Sequence, residues 1–124
     1  MQPIKIMVID DDDDLRETVC ELLLDAGHQP IGMSGGAAAL AYLRGPLPKP
    51  EVILLDLMMP QMNGWEFREI VLQDPALHGI ALVVMSASRD VRGISANEVL
   101  YKPVQLDALL AAIETHAGAP TPGA

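Results

Sequence analysis

An α/β fold, a five-stranded parallel sheet with helices on both faces, is what this 124-residue sequence predicts. Three observations carry that expectation. Five short segments read as strands, most of them apolar on both faces, as strands covered on both sides must be. Helical apolar spacings alternate with them, which implies βαβ units, right-handed crossovers and a parallel sheet. The distinctive polar residues then fall where strands end: Asp10 and Asp11, Asp56, Ser86 and Lys102. In open α/β sheets the working groups collect at the carboxyl ends of strands, near a topological switch point.

Taken in order, Ile4 to Ile9 ("IKIMVI") is the first strand. A helix follows whose apolar stripe is Leu15, Val19, Leu22, Leu23 and Ala26, and Gly27 ends it as a C-terminal cap residue does. "QPIGMS" is a second, short strand; Pro30 cannot donate to a ladder, so this strand belongs at a sheet edge. "GGAAALAYLR" is the second helix and "GPLPKP" a proline-punctuated loop. "EVILLD" is the third strand, "GWEFREIVLQ" the third helix, closed by Asp74-Pro75, and "IALVVMSA" the fourth strand. "SRDVRGISAN" holds Gly93 and little periodicity, leaving room for only a short fourth helix. "EVLYKP" is the fifth strand, and Leu106, Leu109, Leu110 and Ile113 stripe a last helix. The domain is expected over 1–117, with 118–124 ("GAPTPGA") a disordered tail or the start of a linker.

Composition narrows the function. A formal charge of −9 argues against direct nucleic-acid binding, because phosphate contacts need clustered Lys and Arg. No apolar run is long enough for a membrane span and no signal segment opens the chain, so a soluble, cytoplasmic protein is expected. A single cysteine, Cys20, cannot form an internal disulfide and reads as a packed thiol, consistent with a reducing compartment.

Three carboxylates, a hydroxyl and a lysine at neighbouring strand ends suggest one chemistry. Ionised carboxylates held close raise one another's pKa unless a cation holds them. Oxygen ligands without His or Cys suit Mg²⁺ before Zn²⁺. Lys102 is a point charge suited to phosphate, and a strand-end carboxylate beside such groups is equipped to form an aspartyl phosphate.

The blocks "VIDDDDDLRE", "VILLDLMMPQMNGWEF", "VVMSAS" and "LYKPV" closely resemble response-regulator receiver domains of two-component signalling, over about residues 4 to 116. D-x-x-x-P-x-x-x-G is intact as Asp56, Pro60 and Gly64. The resemblance implies a flavodoxin-like, doubly wound sheet of order 2-1-3-4-5, an arrangement that would put the Pro30 strand at an edge. It implies Asp56 as phosphoacceptor from a phosphohistidine on a sensor histidine kinase or histidine phosphotransfer protein. It also implies Mg²⁺ held by Asp10, Asp11, Asp56 and the backbone carbonyl of Met58. Lys102 would pair with the phosphoryl group, and the bond from Lys102 to Pro103 would be cis. Ser86 would move to hydrogen-bond the phosphoryl group and so report it to a downstream protein.

Two departures stand out. Val99 occupies the switch position, three before the lysine, where the family carries an aromatic; the nearby aromatic is Tyr101, on the same strand face by alternation. Ser86 to Lys102 is also shorter than in the family, so the fourth helix should be truncated or irregular. That helix contributes to the family's output and dimer surface, so a phosphorylation-dependent dimer is an implied partner whose surface is altered here.

Blander readings apply elsewhere. Asp13 and Asp14 fit a helix start, where acids favour the dipole, with Asp12 at the seam and the exact cap open between it and a box of Asp14 with Glu17. A calcium loop on Asp10, Asp12, Asp14 and Glu21 fails because its turn position is Leu15, not Gly. His28, His78 and His116 read as surface or linker residues. The methionines and Trp65 read as packing, except Met58, two beyond Asp56, whose bulk is placed to slow loss of a phosphoryl group by water. An aspartate-nucleophile phosphohydrolase would carry a second Asp at that place. A flavin module would need a hydroxyl-rich phosphate loop where five aspartates stand. The expectation is therefore a switch module whose only catalysis is on itself. It is either free-standing, as the Met1 start favours, or cut from a hybrid kinase or DNA-binding regulator.

Overall fold

A computed structural model describes residues 2–120 and residue 122. The strands are β1 (Lys5–Ile9), β2 (Gln29–Met33), β3 (Val52–Asp56), β4 (Ala81–Ser86) and β5 (Glu98–Tyr101). The helices are α1 (Asp13–Asp25), α2 (Gly36–Arg44), α3 (Gly64–Leu72) and α4 (Leu106–His116), with a 3₁₀ turn at Pro75–Leu77. All neighbouring strands pair in parallel, in the order β2-β1-β3-β4-β5. Pro30 thus lies on an edge strand, as its missing N–H requires.

Side-chain alternation splits the core in two. Met7, Ile9, Ile53, Leu55, Leu82 and Val84 face α2 and α3, with Leu40, Leu43, Phe67 and Val71 packed on them. Ile6, Val8, Val52, Leu54, Val83 and Met85 face the other way, against Val19 and Leu23 of α1 and Leu109 and Ile113 of α4. The stripe expected for α1 is narrower than its spacing implied, because Leu22 is exposed. Gly27 takes φ of +91° just past α1, the left-handed conformation a helix stop needs. Cys20 is a free, half-buried thiol packed beside the α1 side of the core, and burial raises its pKa.

Between β4 and β5 there is no helix at all among the described residues. The segment is a run of turns, a larger departure than the short fourth helix expected. Its physical substitute is a set of tethers. Val91, Ile94 and Ala96 pack on the α3 side of the core. The buried Arg68 of α3 donates Nε–H to the Ser95 carbonyl at 2.6 Å. Asn97 Oδ1 accepts the Leu82 N–H at 2.8 Å, and its Nδ2 donates to the Pro120 carbonyl at 3.2 Å. Arg68 also donates to the Pro122 carbonyl, and Gly118 N–H reaches the Glu51 carbonyl, so these tail residues lie against the domain. The other residues of the expected disordered tail, Thr121, Gly123 and Ala124, lie outside the described residues.

Of the histidines expected to be surface or linker residues, His28 and His78 do lie in connections between elements, but none of the three is exposed. His28 is buried, and its Nδ1 accepts the Ile4 N–H at 3.2 Å, joining the starts of β1 and β2. His78 and His116 are half-buried, engaging the Leu72 carbonyl at 2.7 Å and the Glu98 carboxylate at 2.9 Å. Periodicity misses such residues because each is held by a polar contact, and those of His28 and His116 reach partners 24 and 18 residues away.

Candidate functional site

The strand order brings the ends of β1, β3, β4 and β5 side by side, because β1 and β3 are neighbours although the first strand leads back to the edge. At that edge one carboxylate oxygen each from Asp10, Asp11 and Asp56 lies within 4.8 Å of the others. Asp10 and Asp56 are buried, whereas Asp11 is exposed. A cleft of about 420 Å³ opens beside Asp11, lined also by Ser34, Gly36, Met59, Pro60 and Met62.

The acidic run resolves into separate jobs. Asp10 Oδ1 accepts the Asp12 N–H at 2.9 Å, which fixes the carboxylate; its carbonyl accepts from Arg16 Nη1 at 2.8 Å. Asp12 is the cap of α1, its Oδ1 accepting the Leu15 N–H at 3.1 Å, which settles the seam residue. Asp13 and Asp14 occupy the first turn, where the helix dipole favours acids, and Asp13 pairs with Arg16 at 2.6 Å. Arg16 was not singled out by spacing. It stands three residues from Asp13 and six from Asp10, and the i, i+3 charge pair is the signal that could have found it.

Asp56 ends β3 with its Oδ1 accepting the Met58 N–H at 3.2 Å. Burial pushes its pKa up, and the negative charges of Asp10 and Asp11 push the same way; Lys102 and the Met58 N–H oppose them. Lys102 Nζ stands 3.7 Å from Asp56 Oδ1 and 3.5 Å from Asp10 Oδ2, bridging two of the three carboxylates. The Lys102–Pro103 peptide is cis, as expected. The Met58 side chain is largely exposed beside these groups, while Met59 turns into the core.

Ser86 is buried at the end of β4, one register step from Met85, which pairs with Asp56. Its hydroxyl is already engaged, donating to the Ser88 carbonyl at 2.7 Å and accepting the Ser88 N–H at 3.1 Å. Val99 pairs in register with Val84 and is half-buried against the α3 side of the core. Tyr101 pairs with Ser86, and the Arg89 guanidinium lies 4.1 Å from its ring centre.

Gly64 explains the loop between β3 and α3. A Cβ there would lie 2.4 Å from Leu57 Cδ2 and 2.8 Å from Leu57 Cα, so only glycine lets the helix start return so close to Asp56. Asn63 caps that helix, exchanging hydrogen bonds with Glu66 in a capping box.

Residues 6–114 match the model of the response regulator receiver domain family. The chain belongs to that family. It is 29% identical to protein PilG of Pseudomonas aeruginosa over 96% of this chain and 91% of PilG. It is 30% identical to the phosphate regulon transcriptional regulatory protein PhoB of Klebsiella pneumoniae, over 89% of this chain but only 50% of PhoB. The fold is similar to that of chemotaxis protein CheY4 of Vibrio cholerae, with a TM-score of 0.83 over 93% of this chain and 99% of CheY4 at 24% identity. The chain is thus a receiver domain of two-component, phosphorylation-dependent signalling, with the five-stranded flavodoxin-like sheet of its relatives. Among the described residues no helix is long and apolar enough to cross a membrane.

Proposed function

We propose that this receiver accepts a phosphoryl group on Asp56 from a phosphohistidine of a sensor histidine kinase or histidine phosphotransfer protein. Its state then changes its affinity for a downstream protein in the cytoplasm. The observation that carries this reading is the placement of Asp56: buried, ringed by Asp10 and Asp11, and within 4 Å of Lys102.

A carboxylate oxygen of Asp56 attacks phosphorus while the P–N bond breaks and its electron pair returns to the imidazole of the donor. Lys102 meets the charge of the transferring group, since it already lies between Asp10 and Asp56. The Met58 N–H holds the second role of orienting the nucleophile, by fixing the Asp56 carboxylate. Ser86 offers a hydroxyl one register step away. Asp10, Asp11 and Asp56 fit a hard divalent cation, because the donors are all oxygen and three like charges need compensation, and the Met58 carbonyl would complete the set as the family resemblance implies. When bound there, Mg²⁺ would neutralise phosphoryl charge.

Burial of Asp10 against exposure of Asp11 supports assigning Asp11 the more direct contact with the ion and Asp10 one through water. The side chain two beyond the nucleophile is Met58, a thioether with no proton to give as a general acid, which favours the switch reading over a hydrolase.

The test is incubation with acetyl phosphate, with and without Mg²⁺, followed by intact mass. The wild type gains one phosphoryl group only with Mg²⁺, and Asp56→Asn gains none. A wild type that stays unmodified, or an Asp56→Asn chain that is modified to the same extent, contradicts the proposal.

A further inference from the structure

From the last residue of β4, every second residue to Arg92 contributes a side-chain or backbone group to a series of polar contacts. Ser86 Oγ donates to the Ser88 carbonyl. Ser88 Oγ accepts the Asp90 N–H at 3.1 Å. The Asp90 carboxylate receives Arg92 in a fork, Nε at 2.9 Å and Nη2 at 3.1 Å. The Arg92 carbonyl accepts the indole N–H of Trp65 at 2.7 Å, on the first turn of α3. Beside this series, Arg89 is stacked on Tyr101, the register partner of Ser86. The series therefore starts at the candidate phosphorylation site and ends at the chain's single tryptophan, through a segment with no helix to stiffen it.

A serine hydroxyl has one proton to donate, and both a backbone carbonyl and a phosphoryl oxygen only accept. Ser86 can thus serve Ser88 or a phosphoryl group on Asp56, but not both. We propose that segment 86–92 is this receiver's read-out element, in place of a helix and an aromatic switch residue. A phosphoryl group on Asp56 draws the Ser86 proton away from the Ser88 carbonyl, the turn at 88–90 opens, Arg89 leaves the Tyr101 ring, and the link from Arg92 to Trp65 is lost. The inference rests on Asp56 being the phosphoacceptor. It adds that Ser88, Arg89, Asp90 and Trp65 carry the signal, and that Val99, half-buried against the α3 side of the core, does not.

The indole N–H resonance of Trp65 in the full chain reads this directly, with intact mass reporting the phosphoryl group separately. Under acetyl phosphate and Mg²⁺ the wild type should show a second indole resonance whose intensity tracks the phosphorylated fraction. Asp90→Ala should take up the phosphoryl group to the same extent, with its indole resonance unmoved by it. In Ser86→Ala the indole resonance should already be displaced before phosphorylation. If no phosphoryl group appears on the wild type, the phosphoacceptor reading fails and the inference with it. A phosphorylated wild type with an unmoved indole overturns the inference alone. So does full displacement in phosphorylated Asp90→Ala, because Trp65 stands near enough to the site to sense its charge without the segment.

Discussion

Asp56 is a carboxylate held under opposing forces, and pH separates them. Burial raises its pKa while Lys102 lowers it, so the native state takes up this proton at higher pH than the unfolded chain does. The metal-free protein is therefore destabilised by the buried charge above the folded pKa. That penalty is relieved as pH falls toward the ordinary carboxylate value of about 4. Urea unfolding without divalent metal should find Asp56→Asn more stable than wild type at neutral pH, with the gap narrowing on acidification; a gap that widens contradicts the assignment. The acidic run makes a second prediction at this scale. Asp11→Ala should lose Mg²⁺ affinity by titration calorimetry, whereas Asp13→Ala, which removes a first-turn acid paired with Arg16, should keep it. Equal losses would show that the division of the run is wrong. The strand-end carboxylates and Lys102 were legible because each follows an apolar run. The part played by Asp12 was not, since adjacent aspartates differ only in the backbone N–H groups within their reach.

The segment between β4 and β5 is the element whose sequence said least. Weak periodicity and Gly93, at φ of +80°, signalled an interrupted helix, but the absence of any helix follows from tethers distant in sequence. Trp65 and Arg68 act from 27 residues away, and Asn97 couples the segment to β4. Spacing rules see only neighbours three or four residues apart, so these partners were invisible to them. Asn97→Ala leaves the Leu82 N–H without its side-chain acceptor. It should cost about 1–3 kcal/mol in urea unfolding and raise amide exchange across 87–97 more than in β1 or β3. Uniform exchange changes across the sheet would mean that Asn97 does not hold this segment in particular. The two exposed arginines of the segment, Arg89 and Arg92, are each engaged locally, one on a ring and one by a carboxylate.

For the whole molecule, fold and site are one consequence of strand order. A parallel sheet buried on both faces puts every strand's carboxyl end on one rim. The order β2-β1-β3-β4-β5 then gathers Asp10, Asp56, Ser86 and Lys102 from four neighbouring strands. Apolar runs and helical stripes made that architecture readable, and the edge position of the Pro30 strand followed from a missing donor. The chain spans nearly all of PilG and about half of PhoB. The claim that matters most is that one carboxylate on that rim, Asp56, carries the phosphoryl group. Borohydride reduces an acyl phosphate to an alcohol, so treating the phosphorylated chain with it and sequencing the peptides by mass identifies the residue. Homoserine is expected at position 56 and nowhere else; homoserine at position 10 or 11, with position 56 still aspartate, would contradict the assignment of Asp56.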